Sequence, residues 1–537
     1  MASAYNYQLL IKRLLEPPLR YSPQNEIVYR DLKRYNYVEF YKRLKKTANM
    51  LTSFNIKKGS IVGVMDWDSY RYLELFFAVP MIGAIIHTIN VRLSPEQILY
   101  TINHAEDEIL FVNKDFLPLV EKIKEKFKTV KKIVIMSDNI LESEYDKLVE
   151  NQKDDYEFPD FSEDTIATLF YTTGTTGDPK GVYFTHRKLI LHTLGVAIAI
   201  GCYETNGRFR SDDVYMPITP LFHVHAWGIP YLATLLGVKQ VYPGRYDPEI
   251  LLNLIEKEKV TVSHCVPTIL HMLLNHPKSK EIDLSNWKVI IGGSALPKQL
   301  CKIALDRGID VYSGYGMSET CPVLTLSFLK PGTKDLDFNK ELEIRTRTGL
   351  PIPFVDLRLM DQDGNFLPHD GKSAGEIVVR TPWLTDGYFK DEKKSEELWD
   401  KGWLHTGDVG IIYEDGYVKI TDRVKDVIKS GGEWISSILI EDILTQHPAI
   451  NEAAAVGAPD KKWGERPVCF VVLKKEFEDK ITEKELIEHF NKYVEEGVLP
   501  KWGIPDKIYF VESLPKTSVG KLDKKVLRKK LLDKRPD

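Results

Sequence analysis

The chain has 537 residues, 43% of them hydrophobic and 28% charged, with a formal net charge of −4. That length exceeds one compact core and predicts about two to four domains, and the composition excludes a disordered chain. The small acidic excess leaves no global basic field, so neither nucleic acid nor an anionic lipid surface is an expected partner.

The N-terminal stretch "MASAYNYQLLIKRLLEPPLRYSP" lacks the basic-then-apolar layout of a secretory signal. The greasiest run, Leu75 to Ile86, is bounded by Glu74 and His87 and interrupted by Pro80 and Gly83. It falls short of the roughly 20 residues needed to span a bilayer and is expected in the core, so no integral membrane segment is predicted. Strands are predicted at Thr165 to Tyr171 and again at "GVYF", with a helix beginning near Thr185. Asp247 to Lys259 reads as an amphipathic helix followed by the strand "VTVSHCVP". Lys288 to Ile291, "PKQLCKIALDRG" and Ile309 to Ser313 repeat strand, helix, strand. That order implies parallel pairing through right-handed crossovers and an α/β architecture.

The character changes near Thr421 to Trp434. Beyond it strands are predicted at "EAAAVGA", "ERPVCFVVLKK" and "DKIYFVESLP", and a helix at "TEKELIEHFNKYVEE". In the basic C-terminal run, Leu522, Val526, Leu527, Leu531 and Leu532 recur at helical spacing and predict an amphipathic helix with a solvated face. The fold expected is therefore a large multi-sheet α/β domain over residues 1–421 with parallel βαβ units, a hinge at 422–426, and a small mobile α+β domain over 427–537. Cys202, Cys265, Cys301, Cys321 and Cys469 form no CxxC or other metal spacing, which predicts reduced thiols and a cytoplasmic protein.

The stretch "YTTGTTGDPKGVYFTH", Tyr171 to His186, is dense in hydroxyls and bare amides. Glycines admit phosphate oxygens to backbone N–H groups, threonines add donors, and Lys180 adds charge, which are the parts of a polyphosphate cradle. A Walker loop runs from strand into helix and needs Gly-Lys-Ser/Thr, whereas this one joins strand to strand and Lys180 stands between Pro179 and Gly181. On these residues alone a polyphosphate cradle and a simple Gly/Thr/Pro surface turn remain open alternatives.

Seven segments in order resemble the adenylate-forming superfamily of acyl-CoA synthetases, luciferases and peptide-synthetase adenylation domains. They are "YTTGTTGDPKGV", "GGSALP" (Gly292 to Pro297), "YGMSET" (Tyr315 to Thr320), "GEIVVR" (Gly375 to Arg380), "WLHTGD" (Trp403 to Asp408), "DRVKDVIKSGGEWIS" (Asp422 to Ser436) and "LPKTSVGK" (Leu514 to Lys521). The "GDPKG" loop end and "SVGK", where Thr-Gly-Lys is commoner, are variants within the pattern.

The resemblance implies ATP, Mg²⁺ and coenzyme A, with a small carboxylic acid activated to an acyl-adenylate and then passed to the thiol. It assigns Thr172, Thr173, Gly174, Thr175, Thr176 and Lys180 to the β- and γ-phosphates. Glu319, with Thr172, falls to the magnesium ion, and Thr320 to the α-phosphate. Tyr315 offers a ring face to adenine while the backbone at Ser294 and Ala295 reads the base, and Asp408 and Arg423 meet the ribose. Lys521 is implied as the catalytic lysine bridging the attacking carboxylate and the α-phosphate. Lys425 takes the hinge position, with Gly431 and Gly432 lining the pantetheine channel.

"PLFHVHAWGIPY" resembles the acyl side of the pocket, with His223 near the reacting carboxylate and Trp227 gating or flooring a tunnel. His223 and His225 form an HxH, but no third metal ligand is suggested. At Gly316 the acetyl-CoA synthetases carry a tryptophan wall, so glycine implies a longer acid. The nearest branch is that of medium- and long-chain fatty acyl-CoA synthetases. A short hydroxy acid such as 4-hydroxybutyrate, transfer to a carrier protein, a luciferase-like monooxygenase, and an ATP-binding regulatory protein without ligase activity are the alternatives. A homodimer interface in the N-terminal segment is left open.

Overall fold

The computed structural model describes residues 4–172, 178–203, 207–331, 336–431, 433–478, 480–515 and 522–533. The chain divides into two compact units, residues 1–356 with 380–404, and residues 357–379 with 405–537.

The first unit holds two large sheets. In one, strands Val214–Pro217, Val262–Cys265, Lys288–Ile291 and Asp310–Gly316 run parallel and side by side. Helix Pro248–Glu258 precedes Val262–Cys265, capped by the Asp247 carboxylate accepting from the Glu249 and Ile250 amides, as its sequence demands. The core here is aliphatic, with Leu251, Ile255, Val289, Ile291 and Val311 buried around Trp287. Parallel order gathers the strand ends, and so "PLFH", "GGSA" and "YGMSE", on one carboxyl edge, where α/β sheets place ligands.

The other sheet runs in the order Lys132–Met136, Ile109–Asn113, Ile61–Met65, Ile85–Thr88, Ile166–Tyr171, Gly181–Thr185. All pairs are parallel except the last, which is antiparallel. Thr185 then caps helix His186–Gly201. The greasy run is core: helix Tyr70–Met81 is buried along its length and Ile85–Thr88 is a central strand. No helix of the described residues is long and apolar enough to cross a membrane.

In the second unit the strands Ile450–Asp460 and Gly464–Leu473 form a long hairpin, and Lys507–Phe510 joins it in parallel. Helices Ser437–Thr445 and Glu483–Glu495 bury Ile440, Ile443, Leu486 and Phe490 in one core. The terminal helix Lys524–Asp533 buries Leu527 in another, against Val456, Val468 and Phe470, while Val526 is exposed. Val526 thus falls outside the predicted apolar stripe. Every cysteine is a free thiol.

Asp68 stitches the two sheets of the first unit together. It follows strand Ile61–Met65, its Oδ1 accepts from the Leu221 amide at 2.8 Å, its carbonyl accepts from the Gly244 amide at 2.8 Å, and Tyr246 Oη donates to Oδ2 at 2.5 Å. Burial pushes its carboxyl up to about 7, against the pull of those two donors to the carboxylate. Such a group holds its proton more tightly folded than unfolded, so it favours folding at acid pH and that contribution fades as pH rises from about 4 towards 7. Asp68→Asn should flatten the stability profile across this window, by up to about 1.4 kcal/mol per pH unit. Denaturant unfolding at several pH values checks this; parallel profiles for the two proteins would refute it.

Candidate active site

The threonine-rich loop springs from a hairpin. Tyr171 faces Gly181 in the antiparallel pair, and the Thr172 amide donates to the Lys180 carbonyl at 2.9 Å, closing the base. The strand-to-strand setting is therefore as the sequence implies. Thr173, Gly174, Thr175 and Thr176 lie outside the described residues, as do Gly432 and Lys521.

Glu319 sits in the short turn Ser318–Thr320 after the strand bearing Tyr315, and is 7% exposed. Tyr388 Oη donates to its Oε1 at 2.7 Å. The face of the same Tyr388 ring lies 4.5 Å from Lys180 Nζ. Burial, with Glu319 beside it, raises the Tyr388 phenol well above its usual range, so it stays a donor. Thr320 is fully buried: its hydroxyl accepts from the Met317 amide at 3.0 Å and donates to the Pro322 carbonyl. Reaching a phosphate would require that side chain to rotate.

Residues 385–389 knit these pieces together. The Thr385 amide donates to the Glu319 carbonyl at 3.0 Å, Thr385 Oγ1 donates to the Tyr183 carbonyl at 3.1 Å, and the Phe389 amide donates to the Gly181 carbonyl at 2.8 Å. Thr385 and Tyr388 were invisible to motif reasoning. The only signal for them is an unassigned "TDGYF" lying between "GEIVVR" and "WLHTGD".

Ser294 and Ala295 stand exposed just beyond strand Lys288–Ile291, and Tyr315 is half-buried on the neighbouring strand. Gly316 has a local cause. The hairpin shifts register between Tyr315 and Gly316, and a Cβ there would lie 1.7 Å from the Pro322 carbonyl oxygen. The missing side chain is thus demanded by backbone packing, and it says less about acid length than the sequence suggests.

The segment expected on the acyl side is neither strand nor ordinary helix. Val224, His225, Ala226, Trp227 and Gly228 all have positive φ, from 47° to 73°, in a left-handed turn that costs L-residues about 1–2 kcal/mol each. Packing holds it there. His225 is buried among Phe76, Phe170 and Phe184, and Trp227 packs on His264 with ring centroids 5.0 Å apart. His223 is exposed and His225 fully buried, so the two rings do not share one environment. Burial, then His192, pushes His225 down to about 3, leaving it neutral. Both its ring nitrogens and the Tyr231 hydroxyl are buried without hydrogen-bond partners among the described residues. No cluster of His, Cys, Asp and Glu among the described residues could hold a metal by itself.

In the second unit Asp408 and Arg423 face each other across an antiparallel pair, Arg423 Nε lying 2.7 Å from Asp408 Oδ1. Asp408 is buried and Arg423 exposed. Lys425 is exposed in the turn that follows. Gly431 has φ +63°, and its amide donates to the Trp463 carbonyl at 2.8 Å. Trp463 is 45% exposed and Lys462 Nζ lies 4.7 Å from its ring, an aromatic and cationic pair that no motif announced.

A family model described as AMP-binding enzyme matches residues 18–389, and one described as AMP-binding enzyme C-terminal domain matches 439–521. A long-chain-fatty-acid–CoA ligase of Thermus thermophilus is 41% identical over 503 residues, covering 93% of this chain and 90% of that protein. A 3-methylmercaptopropionyl-CoA ligase of Ruegeria lacuscaerulensis is 39% identical over 540 residues, with 98% of each chain covered. Among solved structures, ATP-bound MatB from Rhodopseudomonas palustris superposes with a TM-score of 0.79 at 25% identity, over 98% of this chain and 99% of that one. A Mycobacterium tuberculosis fatty acyl CoA synthetase gives 0.76 at 26%, over 98% and 99%.

Gly316→Ala should destabilise the protein by about 3 kcal/mol, since backbone rather than a flexible side chain opposes the new methyl. Thermal unfolding measures this. An unchanged midpoint would show that the Tyr315–Pro322 turn yields freely.

Proposed function

Because the chain belongs to the AMP-binding enzyme family and is an AMP-forming acyl-CoA ligase, an acid–thiol ligase, we propose that it activates a medium- or long-chain fatty acid. The observation that supports the chemistry best is the clamp joining the loop lysine, Lys180, to Glu319 through Tyr388.

In the first step a carboxylate oxygen attacks the α-phosphorus of ATP and the bond to pyrophosphate breaks. In the second, the sulfur of CoA attacks the acyl carbon, AMP leaves, and the thiol proton passes to solvent. Charge gathers on the phosphoryl oxygens in the first step, so preformed donors there lower the barrier. Lys180, Thr172, Thr173, Gly174, Thr175 and Thr176 are assigned to the β- and γ-phosphates, and Lys521 to the α-phosphate and the attacking oxygen. Tyr315, Ser294 and Ala295 take the adenine, and Asp408 and Arg423 the ribose. Asp408 suits that role, because a buried carboxylate held by an exposed arginine is a fixed acceptor.

Magnesium fits the residues present: the Glu319 carboxylate is the donor type it takes, and one carboxylate with phosphates and water completes its usual shell. When bound it would neutralise charge on the triphosphate. Glu319 would hold it, with Thr172 alongside.

Lys425 serves as the hinge residue, letting the small domain alternate between the half-reactions. Gly431 and Gly432 then line the thiol's path. Exposed Trp463 and Lys462 beside Gly431 offer a stacking face and a cation to the CoA nucleotide.

A second reading for the acid, a short one carrying a polar group such as 4-hydroxybutyrate, is favoured by the partnerless His225 nitrogens and Tyr231 hydroxyl. The 39% identical relative, named a 3-methylmercaptopropionyl-CoA ligase, supports the shortness of that acid. AMP release with CoA and acids graded from two to sixteen carbons, hydroxy acids included, separates the two. Maximal kcat/KM at eight carbons or more supports the fatty acid, and a maximum at a short polar acid supports the second reading. Exchange of ATP with pyrophosphate that no acid stimulates would leave only a nucleotide-binding regulator.

Lys521→Ala should reduce adenylate formation about 10²- to 10³-fold while leaving thioester formation from added acyl-AMP largely intact. Rapid-quench assays of the two half-reactions test the assignment; equal loss in both would refute it.

A further inference from the structure

Lys180 and Glu319 carry opposite charges in a largely buried setting, and among the described residues Lys180 closes on no carboxylate as an ion pair. Between them stands Tyr388, 8% exposed, with its ring face to the ammonium and its hydroxyl to the carboxylate. A direct lysine–carboxylate pair in that place would have to be broken before a triphosphate and a cation could enter. An interposed phenol removes that competition, since a cation on an aromatic face is held more weakly than one on a carboxylate.

The placement of Tyr388 is fixed by chain, not by chance rotation. Its backbone bridges Val182, next but one to Lys180, and its amide donates to Ser395 Oγ at 2.8 Å. Phe389 and Thr385 on either side are bonded to the Gly181 and Glu319 carbonyls. Thus one short segment is anchored both to the strand that Lys180 immediately precedes and to the turn that carries the carboxylate.

We propose that Tyr388 is a positioning residue which keeps Lys180 and Glu319 apart in the nucleotide-free protein, its ring parking the ammonium and its hydroxyl aiming the carboxylate for the divalent cation. Polyphosphate draws the ammonium off the ring, while the hydroxyl goes on orienting Glu319. This rests on the ligase reading above, which supplies the triphosphate and the cation.

The two functions of the side chain separate by substitution. Tyr388→Phe keeps the ring and loses the hydroxyl; Tyr388→Leu loses both. ATP binding without metal, followed by isothermal titration, reads the lysine. The magnesium concentration giving half-maximal ATP–pyrophosphate exchange reads the carboxylate, and thermal unfolding gives the folded fraction used to correct both. Tyr388→Phe should bind metal-free ATP within about twofold of wild type and need about tenfold more magnesium. Tyr388→Leu should also bind metal-free ATP about tenfold more weakly, as Lys180 collapses onto Glu319. In Tyr388→Leu, Glu319→Gln should restore that affinity, which a purely structural defect would not allow.

An unaltered magnesium requirement in Tyr388→Phe, or metal-free ATP bound equally by the Phe and Leu variants, overturns the proposal while an active wild type leaves the ligase reading standing. A wild type that exchanges no pyrophosphate with any acid overturns the ligase reading, and this role with it.

Discussion

The site depends on a single constraint: residues 385–389 are hydrogen-bonded at one end to the turn carrying Glu319 and at the other to the strand Gly181–Thr185, which Lys180 immediately precedes. Three backbone carbonyls, those of Glu319, Tyr183 and Gly181, accept from this segment. A parallel sheet can place several loops on one edge, but it cannot fix their separation, because loops at different strand ends are otherwise independent. The segment supplies that fixity. It converts a lysine and a glutamate distant in sequence into two charges at a set spacing with a phenol between them.

Around this clamp the two sheets of the first unit are joined by Asp68, whose carboxylate and carbonyl reach Leu221 and Gly244 in the loops that follow strands Val214–Pro217 and Lys239–Tyr242 of the neighbouring sheet. The turn expected on the acyl side begins three residues after Leu221, in a left-handed conformation maintained by aromatic packing around His225 and Trp227. Strain there is offset by burial, and the cost includes His225 and Tyr231 polar atoms with no hydrogen-bond partner among the described residues.

Much of the fold was legible because it rests on local periodicity. The helix after Asp247, the strands flanking "PKQLCKIALDRG", and the strand-loop-strand setting of the threonines follow from spacing and caps. What could not be read was long-range or locally anomalous. No pattern shows that Tyr388 reaches back to Glu319 across 69 residues, since the bond is made by tertiary placement. Positive φ at four successive non-glycine residues, valine and tryptophan among them, opposes local propensity, so sequence reasoning had no means to find it. Gly316 read as an open pocket position, and its cause proved to be the Pro322 carbonyl pressed against it. Trp463 lay hidden because a lone tryptophan between lysine and glycine carries no motif.

The most direct test of the account is a crystal structure of the protein with magnesium and a non-hydrolysable ATP analogue. In it the Lys180 ammonium should be displaced from the Tyr388 ring onto the β- or γ-phosphate, with the Glu319 carboxylate on the metal and still accepting from Tyr388. A triphosphate bound elsewhere, with Lys180 unmoved on the ring, would contradict it.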